Sequence, residues 1–265
     1  MPHTPASLVE ESNRLFQHAW TYFVRRMPAG ATTRVPGLLI ANGRSGLSFM
    51  NIAIPTSPVA DEADLRARIG LAASHFRKDG VHWLMVISDD VLPGALRERL
   101  TNVCVDAGLQ YALPMFGMVA DVLLDPVRPL PALDMQVVTT AALREAVGDI
   151  NAAGYAMPGE LFRPVTTLPE FWTDMIGVVG IAKGIPVATA SVALIDEVAY
   201  VALVATDPDH QRKGYAEAVM RRALEESAEA WGERRTVLHA TAAGQPVYRR
   251  MGYADVVRFD AFAGV

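Results

Sequence analysis

The sequence predicts an α+β fold made of two similar halves. Three observations predict it: strand-like apolar runs that lie close together, helical patterns set apart from those runs, and one proline-rich segment near the middle of the chain. The composition, 51% hydrophobic and 20% charged over 265 residues, indicates a globular chain long enough for two domains. Each half is expected to form a mixed, mostly antiparallel sheet flanked by helices.

The segment Asp125 to Pro131 divides the chain and holds three prolines in seven residues. Proline fixes φ and removes an amide donor, so this composition predicts a stiff linker. We therefore expect domains at 1–130 and 131–265.

The first half opens with a helix over Ala6–Met27, where apolar residues recur at helical spacing. Gly108 is a suitable C-cap for the last helix of this half. The other elements predicted are strands at Gly37–Asn42 and Leu47–Pro55, a helix at Glu62–Lys78, a strand at Val81–Ser88, a helix at Gly94–Ala107 and a strand at Met115–Leu124.

The second half repeats part of this order, because a strand, a helix and a glycine turn at Gly252 correspond to the strand, helix and Gly108 of the first half. The repeated order indicates an internal duplication. The elements predicted are a strand at Met135–Thr139, a helix at Ala141–Ala153, strands at Met175–Ala182, Val187–Ile195 and Tyr200–Thr206, a helix at Tyr215–Trp231, a strand at Thr236–Ala240, a helix at Gln245–Met251 and a final strand pair.

Charge and composition exclude several classes of function. The net charge is −5 and no Lys/Arg run exceeds two residues, which argues against a nucleic-acid binder. The six histidines are scattered, and Cys104 is the only cysteine, so we expect neither a metal site nor a disulfide. With no apolar span and no signal peptide evident, we expect a cytoplasmic protein that does not contact the membrane; a homodimer is an open possibility.

The chemistry-bearing segment runs from the end of the strand at Thr206 to the helix that begins near Tyr215. Pro208 stops strand pairing, and Gly214 lets the backbone approach a ligand closely. The first amides of a helix have no partner within it, and the helix dipole favours an anion there. Arg212 and Lys213 add positive charge at the same place. A pyrophosphate is the anion that this arrangement favours.

Two motifs make this half resemble a known superfamily. The pattern Gln211-x-x-Gly214-x-Ala216 is similar to the acyl-CoA signature of the GNAT N-acetyltransferases, and Val247 to Tyr253 (VYRRMGY) resembles a second GNAT segment. Gly214 and Tyr248 lie 34 residues apart, with a helix and a strand predicted between them. The resemblance covers about residues 134–265.

The resemblance implies acetyl-CoA as cosubstrate and direct attack by an amine on the thioester. It implies that the amides of Val204 and Thr206 hold the pantetheine arm and polarise the thioester carbonyl. It implies that Tyr248 is the general acid that protonates the leaving thiolate. The pyrophosphate would be held by the loop residues Gln211, Arg212, Lys213, Gly214, Tyr215 and Ala216.

Two departures from the family pattern weaken the catalytic interpretation. Ala242 stands where many relatives have Asn, and no Glu on the strand Tyr200–Thr206 can serve as general base. Glu197 and His239 are weak candidates for that base. Tyr248 could instead be a packed aromatic, which is also how we interpret Tyr253.

The first half lacks the signature, because its loop Thr56 to Asp61 has neither glycine nor cation. Asp61, Glu62 and Asp64 crowd the following helix start. We expect this half to be a degenerate GNAT-like domain without CoA, contributing to the acceptor pocket instead. The leading function is N-acetylation of a small-molecule amine; the alternatives are a silent acyl-CoA-binding sensor and an acetyltransferase that acts on a protein.

Overall fold

The structure is a computed structural model that describes residues 5–265. Residues 1–4 lie outside the described part. They include His3 and the start of the N-terminal segment, in which we expect no signal peptide. Within residues 5–265, no helix is long and apolar enough to cross a membrane.

The first half contains four helices and five strands among the described residues. They are α1 (Pro5–Arg25), β1 (Ala31–Val35), β2 (Leu38–Asn42), β3 (Asn51–Pro55), α2 (Glu62–Arg77), β4 (Trp83–Ser88), α3 (Gly94–Arg97), α4 (Leu100–Asp106) and β5 (Gln110–Ala120).

The second half contains four helices and six strands. They are β6 (Asp134–Val137), α5 (Ala141–Gly154), α6 (Gly159–Thr166), β7 (Met175–Ala182), β8 (Ile185–Ile195), β9 (Val198–Thr206), α7 (Tyr215–Trp231), β10 (Thr236–Thr241), α8 (Gln245–Arg250) and β11 (Ala254–Gly264).

The chain forms two compact units. The first consists of the described residues through Gly117 together with Ala240–Ala243 and Asp255–Val265, and the second of Met118–His239 and Gly244–Ala254. Most of β11, the last strand of the chain, therefore belongs to the first unit. The division of the chain into functional domains at 1–130 and 131–265 stays a prediction.

In the first unit, the sheet order is β1-β2-β3-β4-β11-β5. The pairs β1–β2, β2–β3 and β4–β11 are antiparallel, and the pair β3–β4 is parallel. Both faces of β2 are buried: Leu38 and Ile40 pack in a core with α2 and α4, while Leu39 and Ala41 pack with α1. A sheet covered by helices on both faces explains the nearly continuous apolar run of this strand.

In the second unit, the sheet order is β10-β9-β8-β7-β6, again antiparallel except for one parallel pair, β9 and β10. Helix α5 covers one face through Val147 and Ile150, which pack against Val179 and Ala205. Each unit thus has three antiparallel strands, a helix and a fourth strand parallel to the third. The predicted α+β class with two similar, mostly antiparallel domains is confirmed.

Four predicted elements need correction, and one strand was missed. The strand predicted at Leu47–Pro55 begins only at Asn51, because Ser48–Met50 form a short 3-10 helix. β1 was missed because Thr-Thr-Arg gives an edge strand no apolar signal. The predicted helix Gly94–Ala107 is two helices, because the backbone leaves helical geometry at Arg99 (φ −108°, ψ 3°). β5 begins at Gln110 rather than Met115 and ends at Ala120, before Leu124. The predicted final strand pair is the single strand β11.

Candidate active site

Toward its carboxyl end, β9 separates from β10 and bulges away from β8 before it pairs with β8 again. The parallel register with β10 ends at Leu238↔Val201. On the other side, the register with β8 shifts between Thr189↔Ala205 and Ser191↔Ala202, so Leu203 and Val204 lie opposite Ala190 alone. This is a β-bulge, and Leu203 has a left-handed backbone with φ +51°. The bulge, which depends on strand pairing and is not indicated by the sequence, leaves Val204 without a register partner on β8; Thr206 pairs with Ala188 of β8 but lies beyond the last pair of β9 with β10.

The loop after β9 is organised by Asp207, whose role the sequence analysis also missed. Its Oδ1 accepts a hydrogen bond from the Asp209 amide (3.0 Å) and lies 3.0 Å from His210 Nδ1. An Asp followed by Pro-Asp is a recognisable turn signal, because Asp side chains hydrogen-bond the backbone two residues on. The lysine of the loop is also tied down, since Lys213 Nζ donates to the Asp209 carbonyl at 3.3 Å.

The start of α7 combines free amides with left-handed residues. Gly214 is the N-cap with φ +82°, and Arg212 has φ +62°. The first backbone hydrogen bond of the helix runs from the Ala218 amide to the Gly214 carbonyl at 3.1 Å, so the amides of Tyr215 and Ala216 have no acceptor within the helix. Gln211 to Gly214 are exposed. Turns of this kind form concave anion sites.

Tyr248 is buried in α8, with 8% of its surface exposed. Burial raises the pKa of its phenol above the ordinary value, so the hydroxyl keeps its proton. Its ring packs against Tyr253, with the ring centroids 6.0 Å apart. Tyr253 itself is a packed aromatic, as predicted: it is 3% exposed, and its hydroxyl pairs with that of Thr236 at 2.7 Å.

The end of α5 connects the splayed strand with Tyr248. A Cβ built on Gly154 would lie 3.4 Å from the Ala205 Cβ and 4.0 Å from the Thr206 carbonyl oxygen. The next residue, Tyr155, is close enough to contribute electrostatically to the raised pKa of Tyr248. The strand end, the end of α5 and Tyr248 therefore lie in one neighbourhood.

The two candidate bases differ in position. Glu197 lies in the turn before β9, seven residues from Val204, which corresponds to about 23 Å along a strand. Its Oε2 is 2.6 Å from Arg234 Nη1, so it pairs away from the splayed end. His239 follows the last paired residue of β10, and its Nδ1 is 2.9 Å from the Tyr200 hydroxyl. Of these two residues, only His239 lies where β9 and β10 separate.

The equivalent helix start in the first unit, that of α2, has its polar groups engaged internally. Asp61 Oδ1 accepts from the Asp64 amide and Asp64 Oδ2 from the Ala60 amide, both at 2.9 Å. Arg68, 7% exposed, ion-pairs with Asp64. Its guanidinium also donates to the carbonyls of Gly37, Ser57 and Pro58 at 2.9–3.0 Å.

Residues 178–256, from β7 into the start of β11, match a family model described as acetyltransferase (GNAT) domain. The second half of the chain carries a GNAT acetyltransferase domain. The protein is accordingly an acyltransferase.

Solved structures share the fold over nearly the whole chain. A GCN5-related N-acetyltransferase from Kribbella flavida is 22% identical, with 95% of each chain covered and a TM-score of 0.69. A functionally unknown conserved protein from Staphylococcus epidermidis is 14% identical, covering 89% of this chain and 94% of its own, with a TM-score of 0.64. A tandem GNAT protein from the clavulanic acid biosynthesis pathway is 13% identical, covering 98% and 95%, with a TM-score of 0.55. No curated protein matches the chain. The GNAT fold is thus present twice, in tandem.

Proposed function

We propose that the second half binds acetyl-CoA at the junction of β9 and α7 and transfers the acetyl group to the amine of a small molecule. The observation that carries the proposal is the α7 start, where unpaired amides, two left-handed residues and the exposed Arg212 and Lys213 occur together. A pyrophosphate group matches that site in charge and in hydrogen-bonding capacity.

Two parts of acetyl-CoA, the pyrophosphate and the pantetheine arm, have candidate partners among these residues. The loop from Gln211 to Ala216 would hold the pyrophosphate through backbone amides. The amides of Val204, at the bulge, and of Thr206, beyond the last pair of β9 with β10, would hold the pantetheine arm and polarise the acyl carbonyl. When bound, acetyl-CoA supplies an acyl group activated as a thioester, which an amine can attack directly.

Tyr248 is proposed as the proton donor to the departing thiolate. Its raised pKa keeps the proton on the hydroxyl at neutral pH. The proximity of the α5 end to both Tyr248 and the strand end supports this role. Proton transfer from a positioned donor contributes about 10²–10⁴ in rate.

A second candidate function is an acyl-CoA-binding sensor that does not turn over. Ala242 in place of the family's Asn and the position of Glu197 at the wrong end of β9 favour it, because both remove groups that would assist the amine. A sensor would bind acetyl-CoA and release no free CoA with any acceptor.

The test pairs two glycines at opposite ends of α7. Gly214 (φ +82°, ψ 6°) is the N-cap and Gly232 (φ +80°, ψ 161°) the C-cap; because the conformation of Gly232 tolerates a side chain less well, valine there is a stringent control for backbone strain. We expect Gly214→Val to lose acetyl-CoA binding in calorimetry and CoA release in a screen of amines, and Gly232→Val to keep both. Wild-type affinity in Gly214→Val would contradict the phosphate-loop assignment. Binding without CoA release from any amine would favour the sensor, and release only with protein acceptors would replace the small-molecule substrate.

A further inference from the structure

Leu124, the residue directly before the Asp125–Pro131 linker, lies between two elements of the candidate site. Its carbonyl accepts a hydrogen bond from Arg221 Nη2 on α7 at 2.7 Å. Its amide donates to the carbonyl of Met251, at the end of α8, at 2.9 Å. Both backbone polar groups of Leu124 are therefore engaged, its carbonyl with α7 and its amide with the end of α8.

The α7 side of this contact is fixed by an ion pair. Arg221 Nε and Nη2 lie 3.0 and 2.9 Å from Glu217 Oε1, and the two side chains are 13% and 15% exposed. Glu217 is in the first turn of α7, directly after the Gly214 cap. A guanidinium held by a partly buried carboxylate has little freedom, so it fixes the Leu124 carbonyl relative to the start of α7.

The α8 side is fixed by close packing. Gly252 has φ +102°, and a Cβ there would lie 3.0 Å from Leu124 Cγ and 3.1 Å from the Leu124 amide nitrogen. The turn at Gly252 is also bonded to the residue of the proposed proton donor, because the Tyr253 amide donates a hydrogen bond to the Tyr248 carbonyl at 3.0 Å. The equivalent glycine of the first unit, Gly108 (φ +88°), has open space where its Cβ would be. A glycine is thus required at position 252 both because Leu124 leaves no room for a Cβ and because φ is positive there.

We propose that Leu124, directly before the linker, is part of the acetyl-transfer site: Leu124 and Arg221 are positioning residues that set the Tyr248 helix relative to the phosphate-loop helix. This inference rests on the function proposed above for α7 and Tyr248. A displacement of the proton donor by a fraction of an ångström is costly, because a misplacement of about 1 Å can reduce turnover about 10²-fold.

The experiment compares two disrupting variants with matched controls. Gly252→Ala crowds Leu124, whereas Gly108→Ala introduces the same side chain at a similar φ with no neighbour. Arg221→Met removes the donor to Leu124, whereas Arg222→Met removes the next arginine on the helix, which pairs with Glu225 and Glu226. Hydrogen exchange of the free protein reports the contact without any need for activity.

We expect residues 122–126 and 248–254 to exchange together, about tenfold faster, in both disrupting variants and at the wild-type rate in both controls. We expect kcat to fall about tenfold with the acetyl-CoA Kd changed less than about threefold, and no further fall when Gly252→Ala is combined with Tyr248→Phe. Wild-type kcat despite lost exchange protection, or losses that multiply in the Tyr248→Phe background, would overturn the inference. A wild-type protein that transfers to no acceptor would instead contradict the proposed function, while the exchange data would still test the contact.

Discussion

At the scale of single residues, Tyr248 differs from the other buried tyrosines of the second unit in what its hydroxyl contacts. The Tyr200 hydroxyl pairs with His239 and the Tyr253 hydroxyl with Thr236. Within residues 5–265, the hydroxyl of Tyr248 forms no hydrogen bond. A buried phenol without an internal partner is available to a ligand, which is the property that a proton donor needs.

Replacing Tyr248 by Phe should lower kcat by about 10²-fold and leave the acetyl-CoA Kd nearly unchanged, because the ring still packs but the proton donor is gone. Tyr253→Phe is the control. It should cost about 1 kcal/mol of stability, since the Thr236 hydroxyl loses its partner, without a comparable loss of kcat. Steady-state kinetics and urea unfolding measure the two effects. If chemistry is rate-limiting and Tyr248→Phe keeps its kcat, Tyr248 is a structural aromatic.

The raised pKa of Tyr248 also predicts a pH dependence. The donor form exists below the pKa of the phenol and is lost above it, and burial moves that pKa upward. The kcat profile should therefore show no falling limb from Tyr248 until the pH exceeds about 10, the ordinary phenol value. A falling limb below that pH which disappears in Tyr248→Phe would show that the phenol is not shifted upward.

At the scale of elements, α2 and α7 occupy equivalent places in the two units but differ at their starts. In α7 the amides near Gly214 are unpaired, and the carboxylate in the first turn, Glu217, is taken up by Arg221. At α2 the Asp61 side chain caps the Asp64 amide, Asp64 accepts from the Ala60 amide, and Arg68 binds the carbonyls of the preceding loop. We therefore propose the start of α7, and not that of α2, as the anion site.

Arg68→Met should destabilise the protein by about 3 kcal/mol or more, because it leaves Asp64 without its ion-pair partner and the carbonyls of Ser57 and Pro58 without their donor. The pKa of Asp64 is lowered chiefly by its hydrogen bonds from Arg68, so this contribution is present at neutral pH and is lost as the pH falls through the folded-state pKa. Urea unfolding at pH 7 measures the effect. Arg77→Met, an exposed change on the same helix, should stay within about 0.5 kcal/mol. An equally small effect at Arg68 would show that its hydrogen bonds do not hold the loop.

How far the sequence predicts these elements depends on whether the signal is local. Helix α7 and its Gly214 cap were predicted because periodicity and turn chemistry are written in neighbouring residues. The bulge at Leu203 was not, because it depends on how β8 and β9 pair. Leu124 was assigned to a strand because it follows an apolar run; its actual place beside Arg221 and Met251 results from contacts about 100 residues away in the chain. The roles of Tyr248 and the loop residues stay predictions.

At the scale of the whole molecule, the tandem arrangement raises the question of how many cosubstrate molecules one chain binds. The two units repeat the order of three antiparallel strands, a helix and a parallel fourth strand. Among the residues described, the start of α7 has exposed cations and no side-chain cap, whereas the start of α2 is capped by the Asp61 side chain and carries further acidic residues. We propose that the first half has lost acyl-CoA binding and that the second half alone retains it.

Calorimetric titration of the full chain with acetyl-CoA tests this account most directly. We predict one site per chain in the wild type and in Gly232→Val, and none in Gly214→Val, because we propose that the pyrophosphate is held by the loop that begins at Gln211. Two sites per chain, or one site that survives in Gly214→Val, would contradict the assignment of acyl-CoA binding to α7 of the second half.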